Sequence, residues 1–346
     1  IDPELLFQAV EEALVTAYKK NFGSNQNVRV DMNKVTGELH IYAQRHIVAE
    51  VGDDPNEISL EEARKIDPRY EVDDIVETEV TPRNFGRIAA QNAKQVVVQR
   101  IREAERGMVF EKFSSRENDI VTGIIQRMEN KNVYIDLGKA EAILTPNEQI
   151  PGEIYQYHDR MKTYIVEVKK TSKGPQIMVS RTHPGLLKRL FELEVPEIHD
   201  GLVEIKSVAR EPGMRSKISV YTKDENIDPV GACVGHKGMR VQTIVNELRG
   251  EKIDIVKYSS EPDQYVANAL SPAKVVSTEV LEEEKICRVI VPDYQLSLAI
   301  GKEGQNARLA AKLTGWKIDI KSESQAAEEA EQGAQEVGVA YEADED

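Results

Sequence analysis

Cysteine is nearly absent: the 346 residues contain two, Cys233 and Cys287, and neither lies in a C-x-x-C pair. A disulfide framework and a thiolate zinc site are therefore not supported, and both thiols read as small, reduced core residues of a cytosolic protein. No apolar run approaches the roughly 20 residues that span a bilayer. Residues 1–20 are amphipathic and charged, unlike a secretory signal. These two absences argue against a membrane protein. No G-x-x-x-x-G-K-[ST] motif occurs, which sets aside P-loop nucleotide chemistry. The six histidines are scattered, and none pairs with Cys or Asp at ligand spacing, so neither a metal nor a cofactor is expected. The chain opens at Ile1 without a methionine, as a fragment or trimmed chain does.

The formal net charge is −15, which argues at first against a polyanionic ligand. Its distribution removes much of the conflict. Residues 322–346 carry nine acids and no Lys or Arg. That segment, poor in aromatics, reads as a disordered acidic tail. Residues 115–182 carry ten bases against nine acids, and 183–321 carry 20 against 21. A neutral module binds nucleic acid weakly, and only if its bases share one side. The 40% hydrophobic content supports real cores, and the length allows two to four domains.

Two short stretches share one design. Gly235-His236-Lys237-Gly238 is followed by Lys252-Ile253-Asp254-Ile255, and Gly301-Lys302-Glu303-Gly304 by Lys317-Ile318-Asp319-Ile320. Each G-x-x-G lies between two apolar helical patterns. The second of these helices ends at Gly250 or Gly315, each a natural C′ residue, and a short strand follows. Glycines let the turn adopt positive φ and leave no Cβ in a ligand's way. The next helix begins at the loop, so its leading amides and positive dipole end face that ligand. One lysine per loop adds a point charge suited to phosphate. The arrangement resembles the KH domain, whose G-x-x-G loop clamps about four nucleotides of a single strand. A lone G-x-x-G is a weak signal; two copies in matching context are a strong one.

Before these repeats, residues 1–20 form an amphipathic helix. Val28–Asp31 and Leu39–Val48 read as a hairpin, and Leu60–Ile66 as a short helix. Thr81 is expected to cap a long helix with Pro82 in its first turn, ending near Gly107. From residue 118 the pattern changes to five short strands: Ile120–Arg127, Asn132–Leu137, Glu141–Leu144, Met161–Lys169 and Gln176–Ser180. They suggest a small closed barrel that resembles an S1-type OB-fold. Such barrels stack bases on surface aromatics. Here only Tyr134 fills an aromatic strand position, and the usual third-strand histidine is missing. Direct RNA contact and a rigid-spacer role both remain open for the barrel.

The runs Asp228–Gly235, Gln295–Leu309, Phe85–Gln91 and Arg102–Arg106 together resemble the NusA family of bacterial transcription factors. The resemblance covers residues 1–321 and places a few residues of the family's first helix before Ile1. The acidic carboxy-terminal repeats of some members are absent. It implies a multidomain α+β architecture: an α+β amino-terminal domain with a long connecting helix (1–114), an S1-type OB-fold (115–182), a helical connector (183–201), two tandem KH domains (202–271 and 272–321) and the disordered acidic tail (322–346).

The resemblance also implies no catalysis. It implies docking on RNA polymerase through residues 1–114, retention of nascent single-stranded RNA, effects on pausing, termination and antitermination, and a cytoplasmic location. Other antitermination factors and ribosomal proteins are further implied partners. The expected RNA-binding residues are Gly235, His236, Lys237, Gly238 and Arg240 in the first repeat. In the second they are Gly301, Lys302, Glu303, Gly304, Gln305, Asn306 and Arg308. Tyr134 is the candidate in the barrel. Lys237, Arg240, Lys302 and Arg308 are expected to approach phosphates, and Gln305 and Asn306 base edges or sugars.

The competing reading is an RNA-binding accessory or degradative ribonuclease component, since KH and S1-type modules occur together there too. The acidic pairs Asp53-Asp54 and Asp73-Asp74 would then hold Mg²⁺. Adjacent carboxylates in polar stretches are more often plain surface, and the barrel preceding the KH pair argues against this order of modules.

Overall fold

The computed structural model describes residues 2–23, 25–52 and 54–331, in two units, Ile1–Val109 and Phe110–Asp346. In the first, α1 (Pro3–Phe22) starts on Asp2, whose carboxylate accepts from the Glu4 amide at 3.0 Å. Strands β1 (Asn27–Met32) and β2 (Leu39–Val48) pair antiparallel. β3 (Glu57–Ser59) joins β2 in parallel, α2 (Leu60–Ile66) follows, and β4 (Ile75–Glu79) pairs with the other side of β2. α3 (Phe85–Ser114) closes the unit, with its last residues in the second. Val10, Leu14, Val28, Val30, Ile41 and Phe85 form the core between the helices and the β1–β2 face.

Two expectations fail here. Thr81 does not cap α3: its hydroxyl accepts from the Ile41 amide at 2.9 Å and donates to Glu79, which serves the sheet. α3 also continues past Gly107 to Ser114. One glycine costs a helix about 1 kcal/mol, too little to break so long a run.

The second unit opens with the barrel: β5 (Ile120–Glu129), β6 (Asn132–Asp136), β7 (Glu141–Leu144), β8 (Arg160–Thr171) and β9 (Gly174–Ser180), closed in the order β5-β6-β7-β9-β8. Then come α4 (Pro184–Glu194) and α5 (Pro196–His199). The first repeat's sheet holds β10 (Glu204–Glu211) antiparallel to β11 (Arg215–Tyr221), and β11 parallel to β12 (Lys252–Lys257). Helices α6 (Pro229–Val234) and α7 (Met239–Glu247) lie between β11 and β12. α8 (Pro262–Ala269) begins the second repeat. β13 (Ser277–Leu281), β14 (Ile286–Val291), α9 (Leu296–Ile300), α10 (Gln305–Thr314) and β15 (Lys317–Ser322) repeat the same topology.

The core shows what belongs to what. Ile120 and Tyr164 of the barrel, Leu187, Leu190 and Phe191 of α4, and Ile218, Val220 and Ile244 of the first repeat form one buried cluster. The 183–201 segment is therefore part of the first repeat's core rather than a connector outside it. Likewise Tyr265, Val266 and Ala269 of α8 pack with Cys287, Val289 and Leu309. The boundary expected at residue 271 assigns 262–271 to the first KH domain. In the structure that helix fills the second repeat, as α5 does the first.

The acidic tail begins differently from expectation. Residues 323–331 are helical. They start on a capping box: Ser322 Oγ accepts from the Gln325 amide at 3.3 Å, and Gln325 Oε1 accepts from the Ser322 amide at 3.0 Å. Residues 332–346 lie outside the described residues.

Buried ion pairs tie the second unit together. Arg210 and Glu251 are fully buried and bidentate, with 2.8 and 2.9 Å contacts. Burial pushes the Glu251 carboxyl up, but Arg210, Ser216 Oγ and the Gly213 amide outweigh it and hold the group below its usual range. Its stabilisation is thus present above the ordinary glutamate range and lost as pH falls through the depressed folded value. Glu251→Ala should lower unfolding stability by about 3–5 kcal/mol in urea titrations. It should also flatten the loss of stability below about pH 4.3.

Candidate nucleic-acid interface

Both G-x-x-G elements form the same turn. Gly235 (φ 74°, ψ 176°) and Gly301 (φ 79°, ψ 171°) occupy a region essentially closed to other residues. Lys237 and Glu303, third in each loop, are left-handed at φ 50° and 54°, and Gly238 and Gly304 follow at 76° and 73°. The glycines also meet a steric demand. A Cβ on Gly301 would lie 2.7 Å from the Asn306 amide nitrogen, and one on Gly235 would lie 2.6 Å from Arg240 Cγ. α7 and α10 start directly on Gly238 and Gly304 with no side-chain cap. The first amide of each helix, Met239 or Gln305, turns back onto the His236 or Lys302 carbonyl, so the amides left for an anion are the ones that follow in the first turn.

The expected site residues fall into two groups. His236, Lys237, Lys302 and Glu303 are exposed at the loop tips. The others are occupied. Asn306 is buried at 2% exposure, and its Nδ2 donates to the Leu270 and Ala299 carbonyls, both at 3.0 Å. It does not reach bases. Arg240, the matching position of the first repeat, donates to the Ala232 carbonyl at 2.6 Å and to Glu197 of α5 at 2.8 Å. In both repeats, the fifth residue after the first glycine ties the preceding helix's C-terminal turn to the helix that opens the repeat. These are staples for the loop: as the chain stands, each side chain is engaged within the protein rather than offered to a base or a phosphate.

Gln305 and Arg308 reach across the repeats. Gln305 Nε2 donates to Glu211 Oε2 at 2.9 Å, and Arg308 Nε to Glu211 Oε1 at 2.6 Å. Arg308 Nη1 also donates to the Glu303 carbonyl in its own loop at 3.1 Å. Both hold the second loop against the first repeat's sheet.

In the barrel, Tyr134 is half-buried, and the Arg127 guanidinium lies 4.1 Å from its ring centroid, paired in turn with Glu141 at 2.8 Å. One ring face is therefore already covered. The most exposed aromatic rings among the described residues of this unit are Tyr157 (56%) and Tyr294 (81%). Sequence reasoning passed over both because they sit in polar loops without periodicity.

Of the acidic pairs of the competing reading, Asp54 and Asp74 serve local turns. Asp54 Oδ1 accepts from the Asn56 amide at 2.9 Å and Asp74 Oδ2 from the Glu71 amide at 2.8 Å; Asp53 lies outside the described residues. No described helix is long and apolar enough to cross a membrane.

The two glycines of the second loop should differ on substitution. Gly304→Ala meets only the far end of Arg308 at 4.0 Å and should cost about 1–2 kcal/mol for its left-handed backbone. Gly301→Ala should cost clearly more, because the Asn306 backbone must move. Urea unfolding of both variants checks the order.

Comparison with known proteins agrees with this arrangement. A NusA N-terminal domain profile matches residues 1–107, an S1 RNA binding domain residues 114–180, a NusA-like first KH domain 181–258 and a NusA-like second KH domain 262–328. The transcription termination/antitermination protein NusA of Halalkalibacterium halodurans is 66% identical over 95% of this chain and 86% of its own. That of Bacillus subtilis is 66% identical over 95% and 88%. The solution structure of the B. subtilis NusA N-terminal domain is 57% identical, covers 31% of this chain and 86% of its own, and has a TM-score of 0.29. With curated relatives at this identity across nearly its full length, the chain belongs to the NusA family of transcription termination/antitermination proteins.

Proposed function

We propose that the chain acts without catalysis, docking on RNA polymerase through residues 1–114 and holding nascent single-stranded RNA on the barrel and the two KH repeats. Pausing, termination and antitermination are modulated through that hold. The observation that carries the RNA reading is the pair of uncapped helix N-termini behind G-x-x-G turns with Lys237 and Lys302 at their exposed tips. Amides and dipole face a phosphate, and the lysines add charge. The residues proposed to meet RNA are Gly235, His236, Lys237 and Gly238, with Gly301, Lys302, Glu303 and Gly304.

Weak individual contacts fit a tethered mode. Residues 115–182 and 183–321 are near neutral, so little affinity comes from bulk charge. A polymerase anchor raises the local RNA concentration and turns poor contacts into useful ones. Ribosomal proteins and other antitermination factors belong to this reading as additional partners.

Replacing His236-Lys237 or Lys302-Glu303 by Asp-Asp should leave the melting profile intact. It should weaken binding of an unstructured oligoribonucleotide by about tenfold at low salt, because an anion at a helix N-terminus repels phosphate. Unchanged filter-binding affinity would remove the loop assignment. In a pull-down, a fragment of residues 1–114 should retain polymerase; retention only by residues 115–321 would contradict the anchor.

A further inference from the structure

The two loops share a backbone but differ in charge. The third loop position is Lys237 in the first and Glu303 in the second. The first repeat's loop-side arginine, Arg240, is held by Glu197 within its own repeat. The second repeat has an arginine of its own in the first turn of α10. Arg308 reaches back to its own loop, donating to the Glu303 carbonyl at 3.1 Å, and its side chain is 46% exposed. In the first repeat the corresponding position is Gln242, which hydrogen-bonds Asn246 on its own helix.

Arg308 is nevertheless engaged. Glu211, the last residue of β10 in the first repeat, takes its Nε at 2.6 Å and takes Gln305 Nε2 with the other oxygen at 2.9 Å. Arg308 foremost, then Gln305 and the nearby Lys312, hold the Glu211 carboxyl below its usual range and therefore ionised. The carboxylate sits on the group that a phosphate would seek, with one oxygen on the guanidinium and the other on the Gln305 amide. Around the second loop, Lys302 and Arg308 are offset by Glu303 and Glu211.

We propose that Glu211 is a specificity-determining residue that competes with an RNA phosphate for Arg308, so that the second loop binds RNA with little backbone electrostatics while the first loop supplies most of it. This rests on the reading that the G-x-x-G loops bind RNA. Removing the Glu211 charge frees Arg308 for a phosphate. Glu211→Gln keeps the shape and the hydrogen bond to Gln305, so the repeats stay in register while the competitor disappears. Arg308→Gln in the otherwise unchanged chain removes a cation already occupied but leaves Glu211 unpaired, so it should weaken binding less than the loss of a free loop lysine does.

The test is an anisotropy titration of a labelled, unstructured single-stranded RNA against the full chain over a range of KCl concentrations. Glu211→Gln should tighten binding about three- to tenfold at low salt and steepen the log K against log salt slope by about 0.7, the value for one more phosphate neutralised on a single strand. Arg308→Gln should weaken binding by less than Lys237→Gln does, and the double variant should return to parent affinity and slope. Glu211→Gln that leaves affinity unchanged or weakens it overturns the proposal. So does Arg308→Gln that weakens binding as much as Lys237→Gln. Should Glu211→Gln melt well below the parent, the Arg308→Gln arm decides alone. A parent chain that does not bind the RNA at any salt concentration overturns both this and the loop reading. A chain that binds but ignores Glu211 overturns only this one.

Discussion

Buried ionic staples at the seams of the second unit are the constraint on which the rest of that unit depends. Arg181, at the end of the barrel, is 1% exposed; it pairs with Glu153 and donates to the Lys162 and Glu247 carbonyls, which joins barrel to first repeat. Arg210 pairs with Glu251 and reaches the His183 carbonyl at 2.9 Å. Lys217 Nζ is buried between Asp254 and the Ser271 carbonyl, both at 2.8 Å, and ties the first sheet to the junction before the second repeat. A buried charge is tolerated only when its partner is fixed in place. Each staple therefore demands one arrangement of the pieces it joins, whereas apolar packing alone tolerates several.

That arrangement governs the interface. The loops project because Arg240 and Asn306 hold the turn from behind, and because α10 packs on the first repeat's β10 and β11. The same contacts remove cations from the surface. Of the basic residues around the loops, Arg240 and Arg308 are paired, and Lys237 and Lys302 are left at the tips. The near-neutral body that carries the loops is thus neutral by pairing as well as by composition. This is consistent with a binder whose affinity comes from an anchor and from geometry more than from charge.

Much of the fold was legible locally. β2 emerges at the strand limits that alternation predicts, and the five barrel strands follow the same period. β3 and β4 escaped notice because each buries a single residue, Ile58 or Val76, amid polar neighbours. The helix at 323–331 was missed because acidic composition was weighed above the Ser322–Gln325 capping box and the helix-favouring Glu, Ala and Gln that follow. The 183–201 segment is legible as helical, but its membership in the first repeat is not, since membership is decided by packing.

The sequence alone determined the repeated unit and its glycine turns. Positive φ, an open helix N-terminus and the alternating strands are properties of a few consecutive residues, and the spacing repeats them. Only the tertiary structure decided which of the flanking polar side chains remain free. Asn306 meets Leu270, Arg240 meets Glu197 and Arg308 meets Glu211 across separations of 36, 43 and 97 residues. A contact formed over such a distance depends on how whole elements pack, and no local pattern of residues encodes it.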